Sequence, residues 1–145
     1  MEVKFKKLHE NAILPSYAKV GDAGLDLTAV SINTKENYNL SGEYIEYGTG
    51  LAIEIPYGFV GLIFPRSSVT NKDLMLKNSV GIIDASYRGE IKFRFKTIGF
   101  EDNKYEIGDR IGQLVILPYP EIKPKFVEEL SNTQRGEGGY GSTGA

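Results

Sequence analysis

The chain contains no cysteine and a single histidine, His9, among its 145 residues. The missing cysteines exclude disulfides, thiolate zinc sites and cysteine nucleophiles together, and they suit a reducing compartment. One histidine, placed in the polar HEN segment near the start, leaves little room for a Ser-His-Asp arrangement or a histidine-rich metal site, and His9 itself reads as a solvated surface residue. No stretch approaches 18 consecutive apolar residues, the length a membrane-spanning helix needs. The opening MEVKFKKLHENAILP is charged and lacks the apolar run of a signal peptide, so a cytoplasmic protein is expected, or one in the equivalent host compartment if the source is viral. Basic and acidic residues nearly balance, 17 against 19, which removes the positive field that draws proteins to nucleic acid. The phosphate-binding GxxxxGK[ST] and nucleophile-elbow GxSxG patterns are also missing. Any general base is therefore expected to be a carboxylate.

With 41% hydrophobic and 11% aromatic residues, the chain can bury one sizeable core. The pattern along it belongs to strands. In GEIKFRFKTIG (89–99), Ile91, Phe93 and Phe95 alternate with Glu90, Lys92, Arg94 and Lys96, the period of a half-buried strand. Similar runs occur at VKFKKL, GLDLTAV, GLAIEI, FVGLIF, RIGQLVIL and KPKFVEEL, separated by Gly, Pro, Asn and Asp. No helical stripe is sustained, and SSVTNKDLM offers at most one short helical turn after Pro65. The expectation is an all-β jelly-roll-like barrel or sandwich, without internal repeats or linkers. The glycine-rich end RGEGGYGSTGA (135–145) has too little side chain to join a core and reads as a flexible arm beyond a β domain over 1–134.

Five segments carry the chemistry: AGLDL (23–27), PRSS (65–68), GIIDASYRGE (81–90), RIGQL (110–114) and RGEGGYGSTG (135–144). PRSS sets a guanidinium beside two hydroxyls, which suits phosphate oxygens. In GIIDASYRGE, Ile82 and Ile83 are expected to anchor a strand in the core, leaving Asp84 held rigidly at its end, as a base must be, although a turn-forming aspartate has the same appearance. Tyr87 is either a core aromatic or a flat wall for a ligand ring. The direction of Gln113 depends on Gly112: without a bulge there, it is expected to face away from Ile111. Asp26, between Leu25 and Leu27, is either solvent-facing or required by a site. The tail combines Arg135, the hydroxyls of Ser142 and Thr143, close-approach glycines and the ring of Tyr140, which are the parts of a nucleotide clamp that orders on binding.

In this order and spacing the five segments resemble the motifs of the trimeric deoxyuridine triphosphate nucleotidohydrolases, the dUTPases, over residues 3–144. The resemblance implies a β jelly roll assembled as a homotrimer, with active sites at subunit junctions and one subunit's arm covering a site built by the other two. It implies hydrolysis of dUTP to dUMP and pyrophosphate with Mg²⁺ held mainly by substrate phosphates and water. It further implies Asp84 as the base for water attacking the α-phosphorus, and Tyr87 packing under the deoxyribose to exclude a 2′-hydroxyl. Asn78 and the backbone at Gly81 and Ile83 would pair with the uracil edge. Arg66, Ser67, Ser68 and Gln113 would hold phosphates, Arg135, Ser142 and Thr143 would close on the terminal ones, and Tyr140, where the family usually has phenylalanine, would stack on the base. Asp26 would support the metal and phosphate region without touching substrate. The rival dCTP deaminase family is similar in fold and trimer, but its catalytic glutamate falls where this chain has Arg94, and a guanidinium cannot carry that proton.

Overall fold

Strand formation follows the apolar alternation. A computed structural model of the chain describes residues 1–35, 43–99 and 103–139. Its strands are β1 (Lys4–Lys7), β2 (Leu25–Thr28), β3 (Ser31–Lys35), β4 (Tyr44–Glu54), β5 (Phe59–Pro65), β6 (Leu74–Leu76), β7 (Gly81–Ile83), β8 (Glu90–Thr97) and β9 (Arg110–Pro118), with one 3-10 turn at Ser67–Asn71. That turn lies where SSVTNKDLM offered one. All pairings are antiparallel: one sheet runs β1-β4-β8-β6 with β3 also on β4, and the other runs β2-β9-β5-β7. Apart from the β3–β4 hairpin, each connection carries the chain from one sheet to the other, which produces the strand order of a jelly roll.

The two sheets face each other across one apolar core. β8 contributes Ile91, Phe93 and Phe95, β4 contributes Ile45, Tyr47, Leu51 and Ile53, and the second sheet answers with Leu27, Ile63, Ile83, Ile111 and Leu114. Each fully buried side chain of this kind adds roughly 1.5–3 kcal/mol. Contact between the layers is close enough that a Cβ at Gly112 would overlap the ring of Phe93. Tyr47 stands edge-on to Phe95 at 5.8 Å, and its hydroxyl donates to the Tyr105 carbonyl at 3.1 Å, so the buried phenol is satisfied.

Four sequence expectations change. KPKFVEEL (123–130) forms no strand: the stretch after β9 pairs with no strand among the described residues, and Phe126 and Leu130 are exposed. Ile82 does not anchor the core. It is 69% exposed while Ile83 is buried, because β7 is half-buried and neighbouring residues point to opposite faces. β9 does bulge: Leu27 pairs with Gly112 and Thr28 with Arg110, so Ile111 is the extra residue. Residues 111 and 113 of an unbroken strand share a face, so it is the bulge that lets Ile111 enter the core while Gln113 points out. His9 is half-buried rather than solvated, its Nδ1 accepting the Asn11 N–H at 3.1 Å.

Candidate active site

The expected site residues of the β domain fall into two separate groups. The first surrounds Asp26 on the outer face of the β2-β9-β5 sheet, where Asp26, Gln113 and Phe64 lie in one cross-strand row. Asp26 is only 8% exposed, and a buried carboxylate is costly unless paired. Two guanidiniums pair it. Arg110 Nη1 donates to Oδ2 at 2.9 Å, Arg66 Nε lies 3.0 Å from Oδ1, and Gln113 Nε2 reaches the same oxygen at 3.4 Å. The Arg66 Nε–H is not aligned on that oxygen and makes no formed hydrogen bond, so this contact is ionic. Ser67 and Ser68 open the 3-10 turn directly after Arg66, Ser67 exposed and Ser68 half-buried. The cluster thus presents two arginines, an amide and two hydroxyls around a carboxylate that fixes the guanidiniums, a donor set suited to phosphate oxygens.

The second group lies on the β7–β8 connection. Asn78, Gly81, Ile83 and Tyr87 line one groove of ≈ 450 Å³, a size suited to a nucleoside. Ile63, Lys77, Ile82, Glu90, Ile91, Lys92 and Arg94 also line it. Gly81 is required by close approach, since a Cβ there would run into Ile63. Beside it, Ser79 holds a left-handed backbone at φ 61°, uncommon for a residue with a side chain and a mark of strain stored next to Asn78. Tyr87 is neither core nor free: it is 45% exposed, with its hydroxyl donating to the Glu90 carbonyl at 3.0 Å. Asp84 is exposed in the same turn, where its carbonyl accepts the Tyr87 N–H at 3.0 Å. Its side chain opens onto an adjoining cavity walled by Tyr57, Phe59, Val60 and Tyr119.

The two groups are far apart within one chain. β7 pairs with β5 so that Ile83 faces Gly61, which brings Asp84 level with Val60. Arg66 follows the other end of β5, six residues on, or about 20 Å at about 3.3 Å per residue. Arg135 sits in a turn of its own, its Nε donating to the Gly138 carbonyl at 2.8 Å. Tyr140, Ser142 and Thr143 lie outside the described residues.

Sequence reasoning passed over three charged residues. Arg110 opens the RIGQL segment, yet its pairing with Asp26 depends on the β9 bulge. Glu46, 8% exposed, lies opposite Arg94 and accepts from Lys92 Nζ at 2.9 Å and Arg94 Nε at 2.8 Å, while the Arg94 guanidinium stacks 4.7 Å over Tyr44. Burial pushes the Glu46 carboxyl upward, but the Lys92 and Arg94 hydrogen bonds outweigh it and hold the group below its ordinary value. Glu90 accepts the Gly50 N–H at 2.8 Å through Oε1. Its only sequence signal was its place at the start of the β8 alternation. No group of three or more His, Cys, Asp or Glu side chains among the described residues is arranged to hold a metal ion.

An antiparallel jelly roll carrying a nucleoside-sized groove and a separate guanidinium cluster defines a class of nucleotide-binding β protein. The dUTPase family model matches residues 10–144. The deoxyuridine 5′-triphosphate nucleotidohydrolase of Clostridium acetobutylicum is 42% identical over 145 residues, 99% of this chain and 97% of that protein. The dUTPase of Staphylococcus bacteriophage 80alpha, solved with dUPNHPP, superposes with a TM-score of 0.84 at 31% identity over 99% of both chains. A variant of the dUTPase from phage phi11 of S. aureus, whose structure concerns coordination of a structural Mg(II) ion, superposes with a TM-score of 0.73 at 29% identity, over 89% of this chain and 98% of that one. This chain belongs to the dUTPase family.

Proposed function

We propose that the chain, a dUTP diphosphatase, converts dUTP and water to dUMP and pyrophosphate at sites completed by more than one copy of itself, with Asp84 as the base. The observation that carries this reading is the separation of Asp84 from the Arg66–Gln113 cluster. A base acting at the α-phosphorus and guanidiniums holding the same triphosphate must lie within one substrate length, and a neighbouring copy supplies the missing half. A homotrimer with sites at its junctions meets that need, and the open apolar side chains of Ile122, Phe126 and Leu130 supply surface for such an assembly.

In the proposed mechanism the water oxygen bonds to the α-phosphorus as the bond to the α–β bridging oxygen breaks. Asp84 takes the water proton, a contribution of roughly 10²- to 10⁴-fold. Arg66, Ser67, Ser68 and Gln113 hold phosphate oxygens and oppose the charge that spreads over them in the transition state. Asp26 keeps the guanidiniums in place, with both its oxygens engaged by them and by Gln113. Asn78 and the backbone of Gly81 and Ile83 read uracil, and Tyr87 lies under the deoxyribose. The arm over 135–145 closes with Arg135, Ser142 and Thr143 on the terminal phosphates and Tyr140 on the base. Magnesium fits this donor set as a companion of the triphosphate, since it keeps most of its waters and takes few protein ligands; when bound, it neutralises phosphate charge. Asp26, its oxygens already engaged by Arg66, Arg110 and Gln113, would support the metal and phosphate region without holding the ion directly. The reaction serves nucleotide-pool sanitation and dTTP precursor supply in the cytoplasm.

The test is incubation of the purified protein and Mg²⁺ with dUTP, dCTP, dTTP and UTP separately, following pyrophosphate release and base identity. Pyrophosphate from dUTP alone is the expected result. Conversion of dCTP to a uracil product would mean deamination despite Arg94, and silence on all four would leave a binding protein.

A further inference from the structure

The Tyr87 ring is held at its hydroxyl end. The hydroxyl and the ring carbon bearing it lie over Gly89, where a Cβ would overlap them, and the hydroxyl donates to the Glu90 carbonyl at 3.0 Å. The ring is therefore only as well placed as the first residue of β8. That residue is anchored by its own side chain. Glu90 is partly buried, with 24% of its side chain exposed, and Oε1 accepts the Gly50 N–H at 2.8 Å while Oε2 lies 3.6 Å from Lys92 Nζ.

The partner N–H belongs to an irregularity in β4. Gly48 pairs with Lys92 and Ala52 with Glu90, so β4 carries two more residues than β8 between these pairs. Thr49 turns inward to donate to the Ile91 carbonyl at 2.8 Å, and Gly50 takes a left-handed φ of 65°. The Gly50 N–H has lost its regular ladder partner, and the Glu90 carboxylate replaces it. Gly48 leaves the space, since a Cβ there would press on Glu90 Oε1 at 2.6 Å.

We propose that Glu90 is a positioning residue for sugar discrimination: by tying the start of β8 to the β4 bulge, its carboxylate fixes the carbonyl that holds the Tyr87 ring against a 2′-hydroxyl. The inference rests on the reading of Tyr87 as the floor under the deoxyribose. A loosened ring tilts away and admits the extra oxygen, so losing the tie raises turnover of UTP relative to dUTP. General damage to the site would instead lower both together.

The experiment measures kcat/KM for dUTP and for UTP in the wild type, Glu90→Ala, Glu90→Gln, Glu90→Asp and Tyr87→Phe, with Tyr87→Ala as the control for the underlying reading. Glu90→Ala and Tyr87→Phe should each narrow the dUTP:UTP ratio roughly fivefold, the worth of one net hydrogen bond. Glu90→Gln keeps an oxygen acceptor for Gly50 and should restore most of the ratio. Glu90→Asp draws the carboxylate back from Gly50 and should narrow it, which decides the matter if the alanine variant fails to fold. A ratio unchanged in Glu90→Asp or Glu90→Ala, while Tyr87→Ala collapses it, overturns the proposal alone. A ratio unchanged in Tyr87→Ala overturns the reading of Tyr87, and the proposal with it.

Discussion

If each site takes Asp84 from one copy and Arg66 from another, two crippled chains can repair each other. Take Asp84→Asn and Arg66→Ala separately; each homo-oligomer carries one defect in every site and should be close to inactive. Now refold the two together in equal amounts. A site is intact only where the copy lending Asp84 is the Arg66→Ala chain and the copy lending Arg66 is the Asp84→Asn chain. Random assembly into a cyclic trimer gives one half times one half, so the mixture should recover about a quarter of wild-type activity per chain. The premise rests on the β5–β7 register, which holds the two residues about 20 Å apart in one chain, at opposite ends of a seven-residue strand. Folding should survive both changes, because Asp84 is exposed and Asp26 keeps Arg110 and Gln113 when Arg66 is lost. The assay is pyrophosphate release from dUTP across a mixing series, with exchange verified by co-purification of a tag on one variant. Activity that stays at the level of the parents after verified exchange would refute the shared site, since a site within one chain can never be repaired this way.

Asp84→Asn alone should still bind a non-hydrolysable dUTP analogue, while turnover falls by roughly 10²-fold or more; turnover near wild type removes Asp84 as the base. Ending the chain before Arg135 should leave the melting temperature unchanged and abolish most hydrolysis, and a truncated chain that unfolds would make the tail structural. Gly112→Ala forces a methyl group against the Phe93 ring and should cost about 1–3 kcal/mol in denaturant melts, with the loss absent if the sheets can part freely. The Glu46 carboxyl is held below its unfolded value, so its ion pairs add stability above the ordinary carboxylate range and lose it as pH falls through the folded value. Glu46→Gln should therefore destabilise the protein at neutral pH, and the gap to wild type should shrink as pH falls below the ordinary carboxylate range; a constant gap would remove the charge from the explanation.

The sequence carried what is local. Period-2 alternation in GEIKFRFKTIG placed Phe93 and Phe95 in the core, because in a strand the face a side chain takes depends only on its immediate neighbours. The five segments pointed to the family. The same local logic failed where partners come from far along the chain. β4 was only half legible: GLAIEI read as a strand, whereas its first half, from Tyr44, becomes strand by pairing with β3 and β8. KPKFVEEL has the composition of a strand and no strand to pair with. Gln113 faces Asp26 only because Ile111 bulges against β2, and Arg66 stands far from Asp84 only because β7 runs antiparallel to β5. Residue types and their alternation are written in the order of amino acids, whereas register, bulges and the distance between motifs are settled by pairings between remote segments, and those exist only in the folded chain.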